Sequence, residues 1–88
     1  MNITEYCDVL NIELKITYYP NQAGRWSADI AHCEIKEGSF LKSSYENGTC
    51  PSSAIFNLCE KLRGNTIVLH ARNKEMRREY VVPKISAE

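Results

Sequence analysis

Residues 50–64, CPSSAIFNLCEKLRG, decide the fold because they predict one amphipathic helix over residues 51–63. Pro51 suits the first turn of a helix, where its missing N–H costs nothing. Gly64 can adopt the left-handed conformation that ends a helix. An apolar stripe of this kind must be covered, so we expect the helix to lie on a sheet. The stripe consists of Ala54, Ile55, Leu58, Cys59 and Leu62.

Five short runs around this helix have the character of β-strands. In the first, apolar side chains alternate with polar ones, the period of two that places one face on a core. Pro20 and the turn-forming residues up to position 24 then favour a chain reversal. We therefore predict an α+β fold in the order β-β-β-α-β-β, an antiparallel sheet of three to five strands with one helix packed on one face. The predicted strands span residues 12–19, 26–30, 39–45, 66–71 and 80–82.

The length of 88 residues predicts a single domain over residues 1–88. Its hydrophobic content of 43% and charged content of 25% are typical of globular proteins and argue against a disordered chain. Residues 1–10 are expected to form a loose arm or one helical turn, and residues 84–88 a loose tail. There is no apolar run of bilayer length and no signal-peptide pattern, so we expect a cytoplasmic protein.

The four cysteines and two histidines do not form a recognisable site in the sequence. Without an export signal we expect reduced thiols. Zinc motifs need closely spaced pairs, which are missing, so we expect no metal and no cofactor. Cys50 is the exception, because a thiol at a helix amino terminus can be unusually reactive. No motif joins a histidine to a nucleophile, and we expect that the protein is not an enzyme. The residues concerned are Cys7, Cys33, Cys50, Cys59, His32 and His70.

Two groups of side chains are candidates for binding a partner. Residues 1–60 hold four basic and eight acidic side chains, whereas residues 61–88 hold seven and three, so the halves carry about −4 and +4. Either this asymmetry only complements itself within the fold, or it steers a charged partner. Tyr19 and Tyr45 are candidates for the open face of the sheet. The basic candidates, at the tip of the last predicted hairpin, are Arg72, Lys74, Arg77 and Arg78.

Part of the sequence resembles two groups of small proteins. The motif is GTCPSSAI at residues 48–55, followed by Leu58, Leu62, Gly64 and TIV at residues 66–68. It is similar to the HicB antitoxin family, whose β-β-β-α-β core is like that of double-stranded-RNA-binding domains. It also resembles small accessory proteins of prophages and tailed phages, a group that fits better at Trp26, Pro51, Ala54, Gly64 and Pro83.

The resemblance implies a small phage-type accessory protein in the cytoplasm of a bacterial host cell. Such a protein would bind a bacterial or host protein, with inhibition of a defence or toxin system as one form of that role. The alternative is a nucleic-acid-binding module that uses the basic hairpin at residues 72–78. A third hypothesis, an enzyme dependent on Cys50, also stays open. An exposed edge strand would further allow a homodimer.

Overall fold

The computed structural model describes residues 1–22 and 25–88 and confirms the predicted α+β fold. Over these residues the chain forms α1 (Ile3–Leu10), β1 (Leu14–Tyr19), a short 3-10 helix (Pro20–Gln22), β2 (Arg25–Glu37), β3 (Phe40–Gly48), α2 (Pro51–Leu62), β4 (Thr66–Leu69) and β5 (Arg78–Val81). The strands form one five-stranded antiparallel sheet. Part of the expected turn, residues 23–24, lies outside the described residues.

The long strand β2 organises the sheet. On one side it pairs with β3 along most of its length. On its other side it pairs first with β1, from Arg25 to Ile30, and then with β4, from Cys33 to Lys36. β5 pairs with β4 and completes the second predicted hairpin. The sheet therefore has β1 and the β4–β5 hairpin end to end beside the same central strand.

The predicted helix α2 covers one face of the sheet, mainly β2 and β3. The buried positions of its stripe are Ala54, Leu58, Cys59 and Leu62, and Ile55 packs partly buried against the same core. Gly48 ends β3 where the first turn of α2 crosses it, and a Cβ at this position would collide with Ser53 and Ala54. The absence of a side chain at Gly48 is what lets the helix approach the sheet this closely.

Residues 1–10, expected as a loose arm or a single turn, instead form the two-turn helix α1. Asn2 Oδ1 accepts a hydrogen bond from Glu5 N at 2.8 Å, and the Glu5 carboxylate accepts one from Asn2 N, a capping box. Ile3, Tyr6 and Cys7 are buried in the core. The expectation was wrong because tertiary burial stabilises a helix too short to form alone.

Residues 84–88, expected as a loose tail, are also fixed in the fold. Ile85 is 2% exposed, and its carbonyl accepts two hydrogen bonds from the Arg63 guanidinium at 3.2 and 2.9 Å. Ser86 forms a parallel bridge with Asn2, so the two chain ends meet. The tail is ordered by these long-range contacts, which a local sequence pattern does not reveal.

Candidate functional site

The face of the sheet opposite α2 carries a polar surface on β1, β2 and β3. Directly opposite residues of antiparallel strands share a face. Tyr19 pairs with Arg25, and Asp29 lies between Lys15 on β1 and Tyr45 on β3. These side chains alternate with Ala28 and Ile30, which point into the core, so they occupy the open face. Polar and aromatic groups from three strands thus share one exposed surface.

This surface is concave and forms a groove of about 910 Å³, called the open-face groove here. Tyr19 and Tyr45 lie on its two flanking strands and are 42% and 45% exposed. Asp29 lies between those strands, while Arg25 and Arg72 also line the groove. Further lining side chains are Lys15, Gln22, Ser27, His32, Ser43 and Asn47.

A large bulge in β2 borders the open-face groove. Between the pairs Asp29–Tyr45 and Glu34–Ser43, four residues of β2 stand opposite the single residue Ser44 of β3. The buried Ser44 hydroxyl lies within hydrogen-bonding distance of two bulge carbonyls, Cys33 O at 2.8 Å and Ile30 O at 3.3 Å. Since it has one proton to donate, the shorter bond to Cys33 O is the stronger one. Ser44 therefore holds the bulge to β3.

The bulge brings two histidines together beside Arg72. His32 and His70 both adopt left-handed backbone conformations, with φ of 56° and 51°. His70 N donates a hydrogen bond to His32 O at 2.8 Å, and the two imidazole rings stack with centroids 5.1 Å apart. Left-handed backbone is uncommon for residues other than glycine, although histidine adopts it more often than most, and the surrounding structure holds both histidines in it. The stacked pair and Arg72 border a second concave region of about 490 Å³ next to the groove.

The charges in the open-face groove are largely unpaired within the described part of the chain. Lys15, Arg25 and Arg72 take part in no salt bridge among residues 1–22 and 25–88. Asp29 Oδ1 is enclosed and accepts no hydrogen bond from any described group. As far as residues 1–22 and 25–88 show, a partner can therefore meet Lys15, Arg25 and Arg72 without first breaking an ion pair of the protein.

The other half of the same face, around β4 and β5, carries side chains that are paired with each other in ion pairs. Lys36 Nζ lies 3.1 Å from Glu79 Oε1, and Arg77 Nη2 lies 3.2 Å from Glu79 Oε2. Hydrogen bonds from Lys36 and Arg77 hold the pKa of the Glu79 carboxyl below its usual value. Val68, which lies on this face, is fully buried. The groove thus lies mainly on the half of the face formed by β1, β2 and β3, with Arg72 from the loop after β4 at its border.

Three of the six predicted binding residues meet in the open-face groove, namely Tyr19, Tyr45 and Arg72. The other three lie elsewhere, in the loop before β5 and in β5 itself. Arg77 is paired with Glu79, and Arg78 donates to the carbonyls of Glu75 and Arg77. Lys74 is exposed in the loop and is not among the groove residues. The structure therefore does not gather the four basic residues into one surface.

Several groove residues did not emerge from the sequence as candidates. Lys15 was detectable, because it has the same alternation along β1 as Tyr19. Arg25 and Asp29 follow the same rule once the pairing of β1 with β2 is known. His32 could not be placed on the groove, because the bulge breaks the alternation on which such a prediction depends.

The cysteines separate into three buried thiols and one exposed thiol. Burial raises the pKa of Cys7 and of Cys33 to about 11, and it also raises the pKa of Cys59. Cys50 is exposed at the amino terminus of α2, and hydrogen bonding with Ser53 lowers its pKa. Its sulfur lies 3.6 Å from Ser53 Oγ, a group that is not a general base at neutral pH. The geometry favours chemical modification of Cys50 more than catalysis by it.

Comparison with known protein families, with curated proteins and with solved structures gives no match for this chain. Over residues 1–22 and 25–88, no three His, Cys, Asp or Glu side chains converge in a way that could hold a metal ion. Neither α1 nor α2, in the same part of the chain, has the length and apolar character needed to cross a bilayer.

Proposed function

We propose that this protein is a non-enzymatic binding module that takes a protein partner on its open-face groove. The observation that carries the proposal is the convergence of Tyr19, Tyr45 and Arg72 on one concave surface. Tyrosine and arginine are among the residue types that most often dominate the binding energy of protein interfaces. The groove offers these anchors on a rigid sheet, so little ordering is needed when a partner binds.

The charge pattern of the groove supports a polypeptide ligand in particular. Phosphate groups would meet Lys15, Arg25 and Arg72 favourably but would be repelled by Asp29 and by Glu34, which also line the groove. A polypeptide segment can present carboxylates to the cations and N–H donors or basic side chains to the acids. Such mixed complementarity gives an interface its orientation and its specificity.

The resemblance of residues 48–68 to small phage proteins supports a more specific form of the proposal. In that form the module is a phage-type accessory protein, and its partner is a bacterial protein of a defence or toxin system. Binding on the groove would inhibit the partner by occupying a surface that the partner needs.

The experiment that tests the proposed function is affinity capture from bacterial lysate with matched variants. Tyr19→Ala combined with Tyr45→Ala removes both aromatic anchors of the groove. Phe56→Ala is the control, since Phe56 is an aromatic residue that is 53% exposed on α2, across the sheet from the groove. We expect one protein to be captured by the wild type and by the control but lost with the double variant. Equal capture by all three proteins would overturn the proposed site.

Nucleic acid is the second candidate ligand. It is favoured by the two tyrosines of the groove and by Lys15, Arg25 and Arg72, which form no salt bridge with any described residue. Single-stranded nucleic acids bind such surfaces by stacking bases on aromatic rings and by pairing phosphates with basic side chains. Gel shifts with single- and double-stranded RNA and DNA test this candidate. Binding that weakens steeply with added salt and is lost with Arg25→Ala or Arg72→Ala would establish nucleic acid as the ligand.

A further inference from the structure

The outer edge of β1 is an unprotected strand edge, unlike the outer edge of β3. On β3, side chains of α2 cover the free carbonyls: Lys61 Nζ donates to Tyr45 O at 3.0 Å and Asn57 Nδ2 donates to Asn47 O at 2.8 Å. β1 pairs with β2 alone, and no described side chain donates to its outer carbonyls. Uncovered edges of this kind are the usual sites at which another strand adds to a sheet.

The pairing of β1 with β2 shows which main-chain groups of β1 are free. Ala31 N donates to Glu13 O, so residues 13 and 31 form a hydrogen-bonded pair of the antiparallel ladder. Main-chain groups alternate sides along a strand, so the odd-numbered residues of β1 bond to β2. The outward N–H and C=O groups therefore belong to Leu14, Ile16 and Tyr18.

The side chains of these same three residues form an apolar row on the face that carries α2. Tyr18 packs against Trp26, with ring centroids 4.8 Å apart, and Leu14 lies partly buried against the core. Ile16 and Tyr18 nevertheless stay 38% and 47% exposed, because α2 packs mainly on β2 and β3. The edge of β1 thus combines unpaired hydrogen-bonding groups with an uncovered apolar row.

We propose that a second copy of this chain pairs with the outer edge of β1, antiparallel and with the two-fold axis at Ile16. In this register Ile16 faces Ile16 of the second copy, and Leu14 faces Tyr18 of the second copy. The apolar rows of the two copies therefore cover each other. All three outward-facing residues pair, which gives about six main-chain hydrogen bonds across the interface. On the groove face, Lys15 stands opposite Thr17 and not opposite another cation.

A register centred on Thr17 is the nearest competitor, and it is less favourable. It would leave Leu14 opposite Pro20, which has no N–H to donate, and would keep only about four hydrogen bonds. The edge of β5 offers a shorter strand, Arg78–Val81, in which the first two of the four residues are charged. The length, the hydrogen bonding and the apolar match all favour the register centred on Ile16.

Disulfide trapping tests both the edge and the register. The background is Cys50→Ser, which removes the exposed native thiol and leaves three buried ones. In the proposed register, Ile16→Cys places two sulfurs on a directly opposed pair, with Cα atoms about 5.5 Å apart, within the range of a disulfide. We expect diamide to convert this variant to a covalent dimer. Thr17→Cys, offset diagonally beyond disulfide range, should stay monomeric under the same treatment.

The opposite pattern, cross-linking of Thr17→Cys without cross-linking of Ile16→Cys, would overturn the proposed register, and no cross-link in either variant would overturn the interface. Sedimentation of the unmodified chain gives an independent reading. We expect twice the monomer mass at high concentration and the monomer mass for Ile16→Lys. Val81→Lys, a matched change on the edge of β5, should leave the dimer intact. A monomeric Val81→Lys variant, or a monomeric wild type, would contradict the proposal.

Discussion

Substituting Gly48 by alanine should destabilise the fold more than any other change to a described glycine. The new Cβ would lie 2.7 Å from the carbonyl carbon of Ser53 and closer still to Ser53 Oγ and Ala54 N. Two of these three atoms belong to the main chain of α2, which cannot rotate away as a flexible side chain would. The helix must therefore move off β3 to admit one methyl group.

The expected cost follows from two opposing terms. Overpacking of a tightly packed contact costs about 1–3 kcal/mol, and a contact with main chain belongs at the upper end of that range. Alanine offsets roughly 0.5–1 kcal/mol of this cost, because it loses less conformational freedom on folding than glycine does. We therefore expect a loss of about 2 kcal/mol in unfolding free energy. For a domain of this size, this corresponds to a fall in Tm of about 10 °C.

Urea unfolding followed by circular dichroism and by Trp26 fluorescence measures this loss. Gly38→Ala is the control, because Gly38 has a φ of +62° and a Cβ added there would meet no atom within 4 Å. Its cost of about 1 kcal/mol comes from left-handed backbone alone. If Gly48→Ala proves no more destabilising than Gly38→Ala, the close packing of α2 on β3 is not as described.

Three further outcomes are expected. Ser44→Ala should cost about 1–3 kcal/mol in unfolding free energy measured with urea, because it removes the donor to the Cys33 carbonyl, whereas Ser43→Ala at the exposed neighbour should change little. Iodoacetamide should modify Cys50 alone in the folded protein at neutral pH, as peptide mass mapping would show; labelling of all four thiols would refute their burial. The contribution of Cys7 and Cys33 to the unfolding free energy should be constant below pH 9 and should fall between pH 9.0 and about 11, because these two thiols titrate at about 11 when folded and near 9.0 when unfolded. Thermal melts across that range, with Cys33→Ala showing a shallower fall, check this sign.

The elements that were predictable from sequence are those whose signals are local. The start of α2 at Pro51 and its end before Gly64 each depend on one residue with a strong conformational preference. β1 was readable from alternation over six residues, and the same alternation placed Tyr19 on the open face. Local patterns therefore gave the order of α2 and the five strands, without α1, and part of the candidate site.

The remaining features depend on contacts between distant parts of the chain. α1 is stabilised by burial of Ile3 and by a hydrogen bond from Ile3 N to Ser86 O at 2.9 Å. The bulge in β2 depends on Ser44 from the next strand, and the stacking of His32 on His70 depends on the pairing of β2 with β4. The two partners of each contact lie in different elements, so no local sequence pattern reveals the contact.

The basic candidates show the same limit. Four cations close together in sequence suggested one patch, but the fold neutralises Arg77 with Glu79 and places Arg72 on the groove. The sequence shows which side chains are charged, but their closeness in sequence does not show which of them the fold pairs with an opposite charge.

Amide chemical shifts of the isotope-labelled protein, recorded as the captured partner is added, show directly whether the partner binds on the open-face groove. We expect the largest changes at Tyr19, Ser27, Tyr45 and Arg72, while the exposed side of α2 around Phe56 stays unchanged. Changes concentrated on α2, or on residues 73–78 without the groove, would contradict the proposed site.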